Sequence, residues 1–146
     1  MENKSNIKFR LHNIKTEQFA IVEDAYENSD KIQLGLNYRF GSKGEERIIA
    51  VLTNFKFKTN KGVLLLIEVS CLYVIDEASW ETIYKPEINE LQIPKEFATH
   101  LLVLTIGTTR GVLHSKTEGT PFNQFFIPTL NVSENIKEDI VIKVEP

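Results

Sequence analysis

At 146 residues and 16.8 kDa the chain supports one core of ordinary domain size, and its 42% hydrophobic and 25% charged residues, with only 7 Gly and 5 Pro, exclude disordered, collagen-like and coiled-coil classes. A net charge of −3 supplies no basic surplus of the kind that neutralising phosphates requires, which argues against nucleic acid as a partner. The single cysteine, Cys71, excludes an intramolecular disulfide and a Cys-rich zinc site.

In chain order, residues 7–11 and the run Phe19-Ala20-Ile21-Val22-Glu23 are two short candidate strands at the start. Residues 31–40 alternate strictly, with Ile32, Leu34, Leu36, Tyr38 and Phe40 apolar and polar residues between them, the pattern of a strand with one buried face. Gly41-Ser42-Lys43-Gly44-Glu45-Glu46 predicts a reversal, and residues 47–58 a returning strand. Thr59-Asn60-Lys61-Gly62 tolerates positive φ and connects to the most apolar strand, residues 63–75. Its odd positions, Val63, Leu65, Ile67, Val69, Cys71, Tyr73 and Ile75, form one apolar face, which makes Cys71 a core residue. Residues 76–91, with Trp80 and Pro86, lack periodicity and predict a connection or lid.

Residues 94–114 change character. Pro94 suits a first helical turn, Glu96 the positive end of the helix dipole, and Lys116, Gly119 and Pro121 a helix end. Phe97, Leu101, Leu104, Thr108 and Val112 fall on one face, and Ala98, Leu102 and Ile106 widen the stripe. So broad a stripe predicts a helix packed on the sheet on one side and on a second subunit on the other, with the Gly107/Gly111 spacing favouring close approach. Residues 120–132, with apolar side chains between Pro121 and Pro128, cannot form a continuous helix and predict an extended segment laid over apolar surface. Residues 133–146 predict a short charged C-terminal tail, within which residues 140–144 read as strand. The whole chain, 1–146, is expected to form a single domain.

No phosphate-cradling loop, nucleophile elbow or dinucleotide fingerprint is present. His12, His100 and His114 lie too far apart for a shared metal, and Asp24, Asp76, Glu77 and Glu81 are explained as well by charged turns as by an acid/base pair. The sequence thus predicts no enzyme, no cofactor and no metal. The polar start precedes no apolar run of signal-peptide length, and the longest apolar run, 63–67, is far short of the roughly 20 residues of a membrane-spanning helix. A cytoplasmic protein without direct membrane insertion is expected.

Three ordered segments, Thr109-Arg110-Gly111-Val112-Leu113, Pro121-Phe122-Asn123-Gln124-Phe125 and Ile127-Pro128-Thr129-Leu130-Asn131-Val132, together with Leu66-Ile67-Glu68-Val69 upstream, resemble the SecB export-chaperone family over residues 31–132. The resemblance, that of a diverged member, implies an α+β fold: a four-stranded antiparallel sheet with one long helix, in the C-terminal half, packed beside it. It implies a homotetramer, a dimer of dimers held partly through that helix, with Leu101, Leu104, Gly107, Thr108 and Gly111 as candidate interface residues. The implied function is an ATP-independent holdase that binds unfolded or non-native polypeptides, with protein export as one role and a dedicated antitoxin-type client as the alternative. Trp80, Tyr84, Phe122, Phe125, Phe126 and Ile127 are then the candidate client-binding residues, because aromatic grooves accept extended chains permissively. Leu66 and Glu68, with Glu23 or Asp24, are the candidate contacts for a SecA-type motor. A module binding a small apolar ligand between sheet and helix, and an enzyme such as a thioester hydrolase on the same scaffold, are the competing readings.

Overall fold

The computed structural model describes residues 6–26 and 31–145; the polar residues 1–5 and the last residue of the expected tail lie outside the described residues. Four long strands, β1 (Phe9–Ile21), β2 (Gln33–Lys43), β3 (Ile48–Thr59) and β4 (Gly62–Ile75), form an antiparallel sheet in the order β1-β4-β3-β2. The fold class expected from the sequence is therefore the observed one. The inner face is apolar and fully covered at its centre: Ile49, Val51 and Phe55 of β3 and Leu65, Ile67, Val69, Cys71 and Ile75 of β4 have no exposed surface. Gly62, at φ +122°, closes the two-residue Asn60-Lys61 link between β3 and β4, a conformation that L side chains rarely adopt.

Two boundaries differ from the sequence expectation. The two short first strands are one, β1, and its alternation is hidden because the register slips between Leu11 and Asn13 and again between Thr16 and Gln18. Each slip inserts an extra residue and inverts the parity on which a period-two reading depends. The reversal after β2 falls at residues 44–47, not 41–46, because Gly41 and Ser42 stay in the ladder: Ser42 Oγ donates to the Ile48 carbonyl at 2.9 Å, and the Ser42 carbonyl accepts from Glu145 N–H at 3.1 Å.

Residues 76–91 are not an irregular lid. They hold a short helix, α1 (Glu77–Ile83), then β5 (Tyr84–Lys85) and the start of β6 (Glu90–Ile93), elements too short to show a period. The expected tail is likewise anchored. β7 (Ile140–Lys143) pairs with β6 to complete a second sheet, β5-β6-β7, and Ile136 and Val144 are buried. Asp139 caps the long helix α2 (Lys95–Thr117) by accepting from Lys95 N–H at 2.9 Å.

Helix α2 lies over β3 and β4 and buries Phe97, Ala98, Leu101, Leu102, Thr105, Ile106, Thr109 and Leu113. The stripe is thus rotated from the expected one: Leu104 and Thr108 leave the core, and Thr105, Thr109 and Thr117 enter it. Their hydroxyls have fixed roles. Thr105 and Thr109 each donate to the carbonyl four residues back, at 2.8 Å. Their oxygens are then the acceptors for Tyr73 Oη at 2.9 Å and Thr53 Oγ1 at 2.6 Å, which pins helix to sheet at two heights. Burial pushes the Tyr73 phenol above its ordinary value, opposed by the Thr105 hydrogen bond. Thr109→Val keeps the shape and leaves the Thr53 hydroxyl unpaired in the core, so thermal unfolding should show a loss of about 1–2 kcal/mol; an unchanged midpoint would remove this pin.

Candidate functional site

The alternating row of β2 provides the largest set of apolar side chains that the fold leaves only partly covered. Leu34, Leu36, Tyr38 and Phe40 stand on the inner face opposite Phe57, Phe55, Thr53 and Val51 of β3, all four of which are buried. Helix α2 covers β3 and β4, so the β2 residues pack against the core while keeping one side open. The segment after α2 crosses this strip. Gly119, at φ +79°, ends the helix path, and Thr120 caps a 3-10 turn at Pro121–Gln124 through Phe122 N–H. Phe125 then meets Phe57 with ring centroids 6.0 Å apart, and at the other end Tyr38 Oη donates to the Asn135 carbonyl at 3.2 Å. Between these anchors Leu130 is partly exposed, so residues 125–135 form a wall and Leu34 and Leu36 a floor.

Arg110 holds the wall to the helix. Its Nε donates to the Ile127 carbonyl at 2.7 Å and its Nη2 to the Pro128 carbonyl at 2.8 Å, a two-point clamp on backbone that has no ladder of its own. Phe126 is 59% exposed and stacks on the His114 ring at 6.5 Å between centroids, while Asn123 Nδ2 lies 3.2 Å from His114 Nδ1. The exposed aromatic is therefore supported from below.

The aromatic residues singled out from the sequence are not brought to one groove. Trp80, Phe122 and Ile127 are buried in the chain's own core. Trp80 and the partly exposed Tyr84 stack on each other near the Ile75 end of β4, whereas Phe125 lies by Phe57 at its Leu65 end. Phe125 remains at the open strip, and the exposed Phe126 next to it in the chain lies against His114 of α2. The row Leu34, Leu36, Tyr38 and Phe40 was legible as a strand but not as a surface, since alternation marks a face without saying what covers it. The Arg110 clamp carries no spacing signal at all.

On the outer face of the sheet, Leu66 and Glu68 are partly buried, and Asn54 Nδ2 donates to Glu68 Oε2 at 2.8 Å. Among the described residues Asn54 Oδ1 is the buried side-chain atom with no hydrogen-bond partner, and it borders a shallow depression of about 240 Å³ lined by Asn37, Arg39, Lys56 and Glu68. Glu23 and Asp24 do not line that depression; they line a cleft with Pro121 and Phe122.

The outward side of α2 carries a third surface. Val103 is 47% and Leu104 38% exposed; a Cβ at Gly111 would stand in open space, and one at Gly107 would lie 3.9 Å from Arg110 Nη1. Leu11 and Ile14 of the edge strand β1 are each 46% exposed, on the face beside α2, where Phe9 meets the ring of His100 and Lys116 lies over the ring of Phe19. Leu101, expected at a subunit interface, is instead fully buried within the chain, and Thr108 is only partly exposed.

Residues of α2 do not line the half-open pocket of about 530 Å³, which lies between β1, the Phe40–Lys43 end of β2, β3 and β7, with Ile48, Ala50, Leu72 and Ile142 at its walls. The space between sheet and helix is filled, as the absence of exposed surface on Leu101, Leu102 and Cys71 requires, so it holds no cavity for an apolar ligand at that position. Among the described residues no group of three His, Cys, Asp or Glu side chains is placed to hold a metal ion, and no helix is long and apolar enough to cross a membrane.

No protein-family model and no curated protein matches the sequence. Solved structures do match the fold. The Mycobacterium tuberculosis SecB-like chaperone Rv1957, in complex with a ChAD peptide from the Rv1956 HigA1 antitoxin, is 11% identical, with 84% of this chain and 90% of that chain covered at a TM-score of 0.51. A protein of unknown function from Streptococcus agalactiae is 10% identical, with 85% and 98% covered at a TM-score of 0.47. The four-stranded antiparallel sheet with one long helix packed on it is a SecB-like fold.

Proposed function

We propose that the protein is an ATP-independent holdase that binds non-native polypeptides in extended form along the β2 row and the wall of residues 125–135. The observation that carries this reading is the open apolar strip of Leu34, Leu36, Tyr38 and Phe40 beside Phe125 and the exposed Phe126. Contiguous partly covered apolar surface of this kind marks a binding face, and one demanding area more than a hydrogen-bond code suits many sequences. The reading is that of a binding protein, not an enzyme, acting in the cytoplasm. It is tested by light scattering from a denatured, aggregation-prone protein diluted into buffer with increasing amounts of this one and no ATP. Suppression that saturates at a fixed stoichiometry is expected; no suppression at any ratio would overturn the reading.

A dedicated antitoxin-type client is the second reading, favoured by the antitoxin peptide in the Rv1957 complex. Capture from cells of one partner, in place of many, would select it. In the export reading, the outer face around Leu66 and Glu68 is the contact for a SecA-type motor, while Glu23 and Asp24 would contribute from their separate cleft. Glu68→Lys should then weaken motor binding and leave client holding intact, and equal motor binding by the variant would remove that contact.

Self-association belongs to the same reading, through the outward side of α2 with Leu104, Gly107, Thr108 and Gly111 and the adjoining Leu11 and Ile14. A dimer of dimers is the expected assembly. A Cβ at Gly111 meets nothing within 4 Å, so the bulk of Gly111→Leu is expected to act chiefly between copies. Sedimentation should show a smaller assembly for the variant, and an unchanged mass would rule this face out as the interface.

A further inference from the structure

We infer that the edge of β2, which among the described residues takes no backbone partner before Ser42, is a strand-addition site, at which an extended client pairs its backbone with Leu34, Leu36, Tyr38 and Phe40; this rests on the holdase reading and specifies its binding mode. Strand β2 is the last strand of its sheet and pairs with β3 without a register slip. In a regular antiparallel ladder, residues two apart direct N–H and C=O to the same side. The Ser42 carbonyl and the Gly44 N–H face away from β3, because Glu145 takes both, at 3.1 and 3.0 Å. By that parity Phe40, Tyr38, Leu36 and Leu34 also direct their N–H and C=O to the open side. The same four residues carry the apolar row, so an incoming strand gains ladder hydrogen bonds and apolar contact together.

The chain itself shows that this edge accepts extended backbone at one point. Glu145 is seated on it in parallel, as the bridge partner of Lys43, and the backbone groups of Ser42 and Gly44 are thereby used up. An added strand is thus confined to β2 before Ser42. The charges on β2, Arg39 and Lys43, are both basic, the kind of edge residue that resists pairing with a second copy of itself. A client segment with apolar residues at alternate positions, and neutral or acidic ones between, fits the edge instead.

The test uses the full chain and a nine-residue peptide of alternating valine and threonine with one acidic end, followed by fluorescence anisotropy. Two N-methylated versions, one on the odd and one on the even positions, remove the amide donors of opposite edges of the peptide. One version should lose at least tenfold in affinity and the other should bind like the parent. In the protein, Leu36→Pro removes an outward N–H at an edge position where proline is tolerated, whereas Leu36→Ala removes only side-chain area. Leu36→Pro, shown to be folded by circular dichroism, should bind at least tenfold more weakly than Leu36→Ala. Parent-like binding by both N-methylated peptides, with aggregation still suppressed, would overturn strand addition and leave the holdase standing. Failure of the parent peptide to bind would overturn strand addition, and absence of aggregation suppression as well would overturn both. A smaller assembly for Leu36→Pro would assign the edge to a second copy and overturn the inference.

Discussion

Leu36→Glu should weaken the suppression of client aggregation by at least about tenfold while leaving the chain folded. Leu36 sits at the centre of the β2 row, opposite the buried Phe55, and keeps one side open. Covering the side that this half-buried leucine still exposes contributes about 1 kcal/mol, and a carboxylate at the same place costs about 1–2 kcal/mol more by losing its water on contact. At about 1.4 kcal/mol per factor of ten, the loss is roughly tenfold to a hundredfold. The fold tolerates the change because β2 is an edge strand and the new carboxylate can reach water when no client is bound. Light scattering at a series of ratios checks this. Undiminished suppression by a folded variant would move the client surface away from β2.

Leu101→Ala and Leu104→Ala should separate the two sides of α2. Leu101 is fully buried over the sheet, and its carbonyl also accepts the Thr105 hydroxyl, so truncation leaves a cavity beneath the helix. A loss of about 3 kcal/mol is expected, with a fall in unfolding temperature of roughly 10 °C. Leu104, at 38% exposed, should cost about 0.5 kcal/mol or less in a single chain and act only on assembly. Thermal melts of both variants, measured at a protein concentration low enough to keep them monomeric, make the comparison. Equal losses would contradict the orientation of α2.

That orientation was only half legible in the sequence. The spacing of Phe97, Leu101 and Ala98 fixed the helix and one boundary of its buried stripe, but hydropathy counts threonine as polar and leucine as apolar. Here Thr105 and Thr109 go inward because their protons return to the helix carbonyls and their oxygens accept from Tyr73 and Thr53, while Leu104 faces out. Strands β2 to β4 were plain because strict alternation survives wherever register is regular, and their one slip, between Phe57 and Lys58, falls at the turn end of the β3–β4 pair, where it leaves Leu64 buried and Val63 only partly so. In β1 two slips erased it, and in α1, β5 and β6 the elements are shorter than any period. Of the candidate client residues, Phe125 lies at the open strip and Phe126 is exposed beside His114, while Trp80, Phe122 and Ile127 close the core. An aromatic residue between prolines signals burial against something, and only the folded chain decides whether that something is the chain itself.

Backbone amide exchange, followed residue by residue with and without a bound unfolded polypeptide, tests the proposed client surface most directly. The account predicts slowed exchange concentrated at residues 34–40 of β2 and at residues 125–130, with the outer sheet face around Glu68 unchanged. Protection confined to the outer face, or to the outward side of α2 from Val103 to Gly111, would contradict it.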